Sequence, residues 1–189
     1  MKALDLYCGA GGASMGLHRA GFSVSGVNIE AQPRYPFAFT KGDALEADLS
    51  AVDFVWASPP CQAYTRMSRG LLQSQGRARA HRHLIEATRE KLIRWGGPYI
   101  IENVPGAPLR NPVMLCGSAF GLRVQRHRLF ESNVMLLGHG CAHGQWEKNL
   151  PSLHRLQGKS RVVGSTHGNV KVQCGSTAVS LGVNAYVKA

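Results

Sequence analysis

The sequence has no apolar run near the ~18 residues that a membrane-spanning helix needs. Its opening residues, Met1-Lys2-Ala3-Leu4-Asp5-Leu6, lack the apolar stretch and small-residue cleavage site of a secretion signal. Membrane and secreted classes are therefore disfavoured, and a cytoplasmic protein is expected. The five cysteines (8, 61, 116, 141 and 174) are odd in number and scattered. That argues against a disulfide framework and for a reducing compartment. No internal repeat is present. Acidic residues are scarce in the second half: residues 101–189 hold three Asp/Glu against ten Lys/Arg, and residues 1–100 hold eight against twelve. The net charge is +11. Arg66, Arg69, Arg77, Arg79 and Arg82 cluster in one segment. Such a basic surface suits a polyanion, most simply nucleic acid, though a solvated basic face would look the same.

At 189 residues and 44% hydrophobic content, the chain suits a single domain with a sizeable core. Apolar runs at Leu4–Tyr7, Phe22–Val27, Val52–Ala57 and 98–104 read as strands. The stretch from Ser14 to Gly21 reads as a helix. So does 81–95, where Leu84, Ile85, Leu92 and Ile93 recur at helical spacing before Gly96-Gly97. A short helix is expected at Gln32–Phe39, a mobile loop at 63–80, and short strands at Val113–Cys116 and Arg128–Glu131. Alternating strands and helices predict an α/β fold with a doubly wound, mostly parallel sheet. The pattern decays beyond residue 137. The expected division is a catalytic domain over 1–136 and a short irregular segment over 137–189.

Five groups of residues carry chemistry. Ser58-Pro59-Pro60-Cys61-Gln62 follows an apolar strand, and its two prolines stiffen the exit. Cys61 is thereby displayed at a strand end, where ligands of open α/β sheets gather. It is either a nucleophile or a small buried thiol. The run Asp5-Leu6-Tyr7-Cys8-Gly9-Ala10-Gly11-Gly12 sets glycines between strand and helix. There a backbone can approach a ligand and helix amides stay free for it, or else it is only a tight turn. Asn28-Ile29-Glu30 ends the next strand, where such folds place a ribose-binding acid; Gly42-Asp43-Ala44 lies in the same row. Glu102, at the end of an apolar strand, is expected to be desolvated, with a raised pKa suited to proton sharing. Arg126 and Arg128 alternate, so both guanidiniums can face one site. Cys141, His143, His139 and His154 hint at zinc, but their spacing is unlike Cys-x2-Cys pairs. They are read as surface-loop residues, and no metal is expected.

Together these motifs resemble the DNA (cytosine-5)-methyltransferases. The match lies in Asp5–Gly16, Ser58–Gln62, Glu102-Asn103-Val104 and Val124–Arg128, in order over residues 3–131. The resemblance implies a Rossmann-like methyltransferase domain that binds S-adenosylmethionine. Asp5, Tyr7, Cys8, Gly9, Ala10, Gly11, Gly12, Asn28, Ile29, Glu30, Asp43, Ala44, Ser58 and Pro60 would form the cofactor site. It implies Cys61 as the nucleophile toward C6 of a flipped-out cytosine, and Glu102 as the group that holds N3 and the exocyclic amine. Arg126 and Arg128 would position the base and Cys61. Gln62, Arg66, Arg69, Arg77 and Arg79 would contact double-stranded DNA. A monomer in a bacterial or phage-infected cell is expected. Asn28 stands where the family has an acid, and Val124 where it has Gln. The region after 131 is much shorter than the family's target-recognition region. RNA methylation and an inactive DNA-binding homologue are the competing readings.

Overall fold

Strand order, more than any motif, fixes where a site can form here. The computed structural model describes residues 1–64, 83–122 and 124–143. Its strands are β1 (Lys2–Leu6), β2 (Ser23–Asn28), β3 (Ala38–Lys41), β4 (Phe54–Ala57), β5 (Tyr99–Asn103), β6 (Val113–Cys116) and β7 (His127–Ser132). Two helices, α1 (Gly12–Arg19) and α2 (Ile85–Trp95), and a 3-10 turn at Gly117–Phe120 complete the described elements. The seven strands form one sheet in the order β3-β2-β1-β4-β5-β7-β6. The first five are parallel, and β7 runs antiparallel to both β5 and β6. Strand order reverses between β1 and β4, so the crevice of this doubly wound sheet opens outside their carboxyl ends.

Both faces of the sheet are covered, as near-continuous apolar strands require. On one face Ala3, Val24, Phe54, Trp56, Ile100 and Phe130 pack with Leu17 of α1. On the other Leu4, Leu6, Val55, Ala57 and Ile101 pack with Leu92 of α2. Helix α2 stops at Gly96, whose φ of 81° lies in the left-handed region that glycine enters freely. Among the described residues no helix is long and apolar enough to cross a membrane.

The expected helix at Gln32–Phe39 does not form. A single turn, closed by the Tyr35 N–H on the Gln32 carbonyl at 3.0 Å, leads instead into β3. Pro36 would remove an intrahelical donor and clash with the preceding turn. The aromatic side chains are also used elsewhere: Tyr35 bonds Ser14 of α1 and Phe37 lies against His18. The loop expected at 63–80 falls outside the described residues from 65 onward, and the C-terminal segment does so from 144.

Candidate active site

The carboxyl edge collects the motif residues from five strands and the amino end of a sixth. From β4 the chain passes through Ser58, Pro59 and Pro60 to Cys61. Two bonds hold this exit: Ser58 N–H donates to the Leu6 carbonyl at 3.1 Å, and Asn103 Nδ2 donates to the Pro59 carbonyl at 2.9 Å. Asn103 is 1% exposed, and its Oδ1 accepts the N–H of Val104. Trp56 Nε1 donates to Ser58 Oγ at 2.8 Å, fixing that hydroxyl. Cys61 itself is a half-buried free thiol against the small apolar cluster of Tyr64, Ile85, Val104 and Ala107. Asn103 was not assigned a role from sequence. Its place at the strand end, one residue from Glu102 and on the opposite face, was the available signal.

Glu102 and Arg128 meet across the β5–β7 pair, with Nε to Oε1 at 2.8 Å and about a fifth of each side chain exposed. Burial pushes the Glu102 carboxyl above the usual range, against the pull of Arg128, Arg126 and a bond from Ser58. Arg128 is pushed down, first by burial and then by the like charge of Arg126, while Glu102 and Cys61 favour its charged form. The sequence expectation of a desolvated strand-end carboxyl is met. Arg126 precedes β7 rather than lying on it, yet both arginines act on Glu102. Val124, where a glutamine was expected, packs over Gly117. A Cβ placed on Gly117 would lie 2.6 Å from the valine methyl, so this contact is apolar and tight.

The glycine turn follows β1. Gly9 and Gly11 have φ of 49° and 85°, and Gly11 caps α1 without a side-chain bond. Below it, Asp5 is 1% exposed and accepts a bond from Ser14 Oγ, while its Oδ1 has no partner among the described residues. Burial raises its pKa to about 7. Cys8 is turned into the core against Gly26 and Tyr35, and burial pushes its thiol up to about 12. Tyr7, at φ 62°, directs its hydroxyl to Thr88 of α2 at 2.8 Å. These two side chains thus support the turn from below. Ala10 is exposed, and Gly12 opens α1.

At the end of β2, Asn28 Nδ2 donates to the Glu30 carbonyl at 3.0 Å. The Gly42 N–H donates to the Asn28 carbonyl at 3.0 Å, which brings Asp43 alongside. Asp43 Oδ1 accepts the Leu45 N–H at 2.9 Å, and Ala44 is buried. Ile29 is 58% exposed and Glu30 is exposed. Pro60 is half-buried and Gln62 exposed beside Cys61. Arg66, Arg69, Arg77 and Arg79 lie outside the described residues. A shallow cleft lined by His18, Phe22, Val24 and Phe37 lies at the amino end of β2 and is not part of this edge.

One further group comes together in space. Cys141 and His143, read as surface-loop residues without a metal, stand with Cys116 and His127. The four donor atoms lie within 4.8 Å of one another. The signal missed was the β6–β7 register, which sets Cys116 opposite His127.

No protein-family model matches the chain. The type II methyltransferase M.AgeI of Thalassovita gelatinovora is 34% identical over an 84-residue alignment covering 34% of this chain and 20% of the relative. Among solved structures, the S. pombe Dnmt2 methyltransferase is 15% identical, with TM-score 0.48, covering 78% of this chain and 54% of that one. A triple mutant of DNMT2 from Spodoptera frugiperda is 18% identical, with TM-score 0.45, covering 74% and 52%. The chain thus spans a fifth of the length of the curated relative and about half of each of these structures. The fold is Rossmann-like by its own strand order, a doubly wound sheet with an antiparallel β7.

Proposed function

We propose that the chain methylates C5 of cytosine in double-stranded DNA, with S-adenosylmethionine as methyl donor and Cys61 as covalent nucleophile. The observation that carries this reading is the Glu102–Arg128 pair at the carboxyl edge of the sheet, within electrostatic reach of Cys61. The glycine turn of a doubly wound fold suits a nucleotide-like cofactor. The unpartnered, buried Asp5 Oδ1 suits its ammonium group. Asn28 spends its amide N–H on Glu30, which leaves Oδ1 as an acceptor for a ribose hydroxyl. An amide can thereby stand in for the acid expected there. Exposed Ile29 offers apolar surface to an adenine ring.

S-adenosylmethionine, when bound, supplies an electrophilic methyl group. The work of the protein is to make C5 of cytosine nucleophilic. Cys61 adds through sulfur to C6, and the ring electrons so displaced make C5 electron-rich. Glu102, held toward its protonated form by burial, donates to N3 and accepts from the exocyclic amine. Arg128, which faces both Glu102 and Cys61, steadies the ion pair before the base arrives and the thiolate while it attacks. The methyl donor would leave as S-adenosylhomocysteine; the C5 proton then passes to solvent, its electron pair re-forms the C5–C6 double bond as the S–C6 bond breaks, and Cys61 is restored as a thiolate. Inside a duplex the ring face is out of reach, so the base is flipped out. Residues 1–136 carry this chemistry, and target recognition falls to residues beyond them. Gln62 and the arginines at 66, 69, 77 and 79 contact the DNA backbone.

The test incubates the protein with methyl-labelled cofactor and duplex DNA, with a parallel RNA arm. Label is expected in DNA cytosine, and it vanishes in Cys61→Ala. DNA carrying 5-fluorocytosine is expected to trap a covalent complex. Label confined to RNA would move the substrate assignment. Binding without transfer or trapping would remove the enzymatic reading altogether.

A further inference from the structure

We propose that Cys116, His127, Cys141 and His143 hold one structural Zn2+ that locks the chain beyond β7 onto the end of the sheet. Cys116 ends β6 and His127 begins β7, and the register sets them directly opposite each other. The chain leaves β7 at Ser132 and returns to this point, where Cys141 and His143 reach it from alternate positions. Cys116 Sγ lies 3.1 Å from His143 Nε2, and His127 Nε2 lies 3.2 Å from Cys141 Sγ. All four donor atoms are within 4.8 Å of one another. Tetrahedral zinc with two sulfur and two nitrogen ligands needs donor separations of ~3.3–3.8 Å, so the cluster closes on an ion with only small movements. Thiols with imidazoles, and no carboxylate in the group, favour zinc over hard cations.

The surroundings support the same reading. Ser118 Oγ lies 3.1 Å from Cys116 Sγ and accepts the Ala142 N–H at 3.1 Å. One hydroxyl therefore orients a ligand from the sheet and also fixes the segment carrying the other two, as outer-shell groups of metal sites do. Four protein ligands leave no open position, which marks the site as structural and not catalytic. A disulfide between Cys116 and Cys141 would leave both imidazoles without a purpose.

The placement has a consequence for the active edge. His127 lies between Arg126 and Arg128 in sequence, and successive strand residues point to opposite faces. The metal therefore sits behind the strand end that presents Arg128 to Glu102. It fixes the start of β7, so His127 is a positioning residue for its neighbours.

The experiment uses the full chain, purified without chelator from zinc-supplemented medium. Elemental analysis is expected to give about one equivalent of zinc. Cobalt substitution is expected to give thiolate charge-transfer bands and the visible bands of a tetrahedral ion. Because Cys116 is buried and its replacement risks unfolding, the decisive variants are Cys141→Ser and His143→Ala. Each is expected to lose most of the zinc while far-ultraviolet dichroism keeps the sheet signal. Peptide mapping after alkylation is expected to find Cys116 and Cys141 protected by zinc and released by chelator. Absence of zinc, with these thiols either freely alkylated or joined in a disulfide, would overturn the proposal. None of these readouts depends on methyl transfer, so this site and the enzymatic reading stand or fall separately.

Discussion

Strand β7 takes part in two arginine–glutamate pairs, one on each face of the sheet, and they differ in almost everything but composition. On the α1 face Arg128 meets Glu102 through one 2.8 Å contact, with both groups partly exposed. Burial works against both charges, and the neighbouring Arg126 works further against the guanidinium. On the α2 face Arg89 of α2 grips Glu131 in a two-point fork at 2.6 and 2.8 Å, with 1% and 5% of the side chains exposed. Its remaining donors reach Glu86 and the Pro108 carbonyl, and Glu131 also accepts the Arg110 N–H at 2.7 Å. Burial is offset there by complete hydrogen bonding, and Glu131 holds the arginine well in its charged form. The sealed pair ties α2 to β7. The open pair is opposed by its own neighbours, which suits the proposed exchange of partners with an incoming base.

Replacing each glutamate by glutamine separates the two roles. Glu102→Gln keeps the shape but cannot share a proton with N3, so methyl transfer should fall by about 10²–10⁴-fold. Unfolding in urea should shift by no more than ~1 kcal/mol, because the lost carboxylate was already penalised by burial. A Glu102→Gln protein with near-normal turnover would remove Glu102 from the chemistry. Glu131→Gln should do the reverse. It leaves Arg89 as a buried, poorly answered charge, at about 3–5 kcal/mol of stability. Turnover per folded molecule should stay within a few-fold of the parent. If Glu131→Gln unfolded no more easily than the parent, the sealed pair would not be what fastens α2 to β7.

The same contrast explains what sequence alone could give. The open pair was legible because its residues sit in ordered motifs at strand ends, where chemistry and spacing coincide. Cys61, Glu102 and Arg128 could be chosen without coordinates. The sealed pair was not, since Arg89 lies in a helix of ordinary composition and Glu131 among strand residues; only the packing of α2 on the sheet joins them. The cysteine–histidine cluster stayed hidden for a similar reason. Ten residues separate Cys116 from His127, and their contact is a matter of strand register. The parallel core strands were read correctly because apolar runs report burial directly. The failed helix at Gln32–Phe39 shows local pattern giving way to tertiary demand, with Pro36 forbidding the helix and Tyr35 claimed by Ser14.

Asp5 extends the comparison to a buried carboxyl whose bond comes from a hydroxyl instead of an arginine. With no cation to offset burial, its pKa stands at about 7 against an ordinary 3.8. The folded state therefore binds more protons than the unfolded chain between these values. Stability should fall as pH rises from about 4 to about 7 and then level off, a total of about 4 kcal/mol from this group. In Asp5→Asn that slope should be absent. A cationic cofactor resting on Oδ1 would hold Asp5 ionised. At pH 7 binding should then release about half a proton, more at pH 6 and little at pH 8. Calorimetry with S-adenosylhomocysteine in buffers of different ionisation heat measures this number, since that product keeps the ammonium group. Release that is absent at pH 6, or unchanged in Asp5→Asn, would place the ammonium elsewhere. Release that follows the expected pH course would identify Asp5 as a carboxyl kept unpaired in the free protein because its counter-ion arrives with the cofactor.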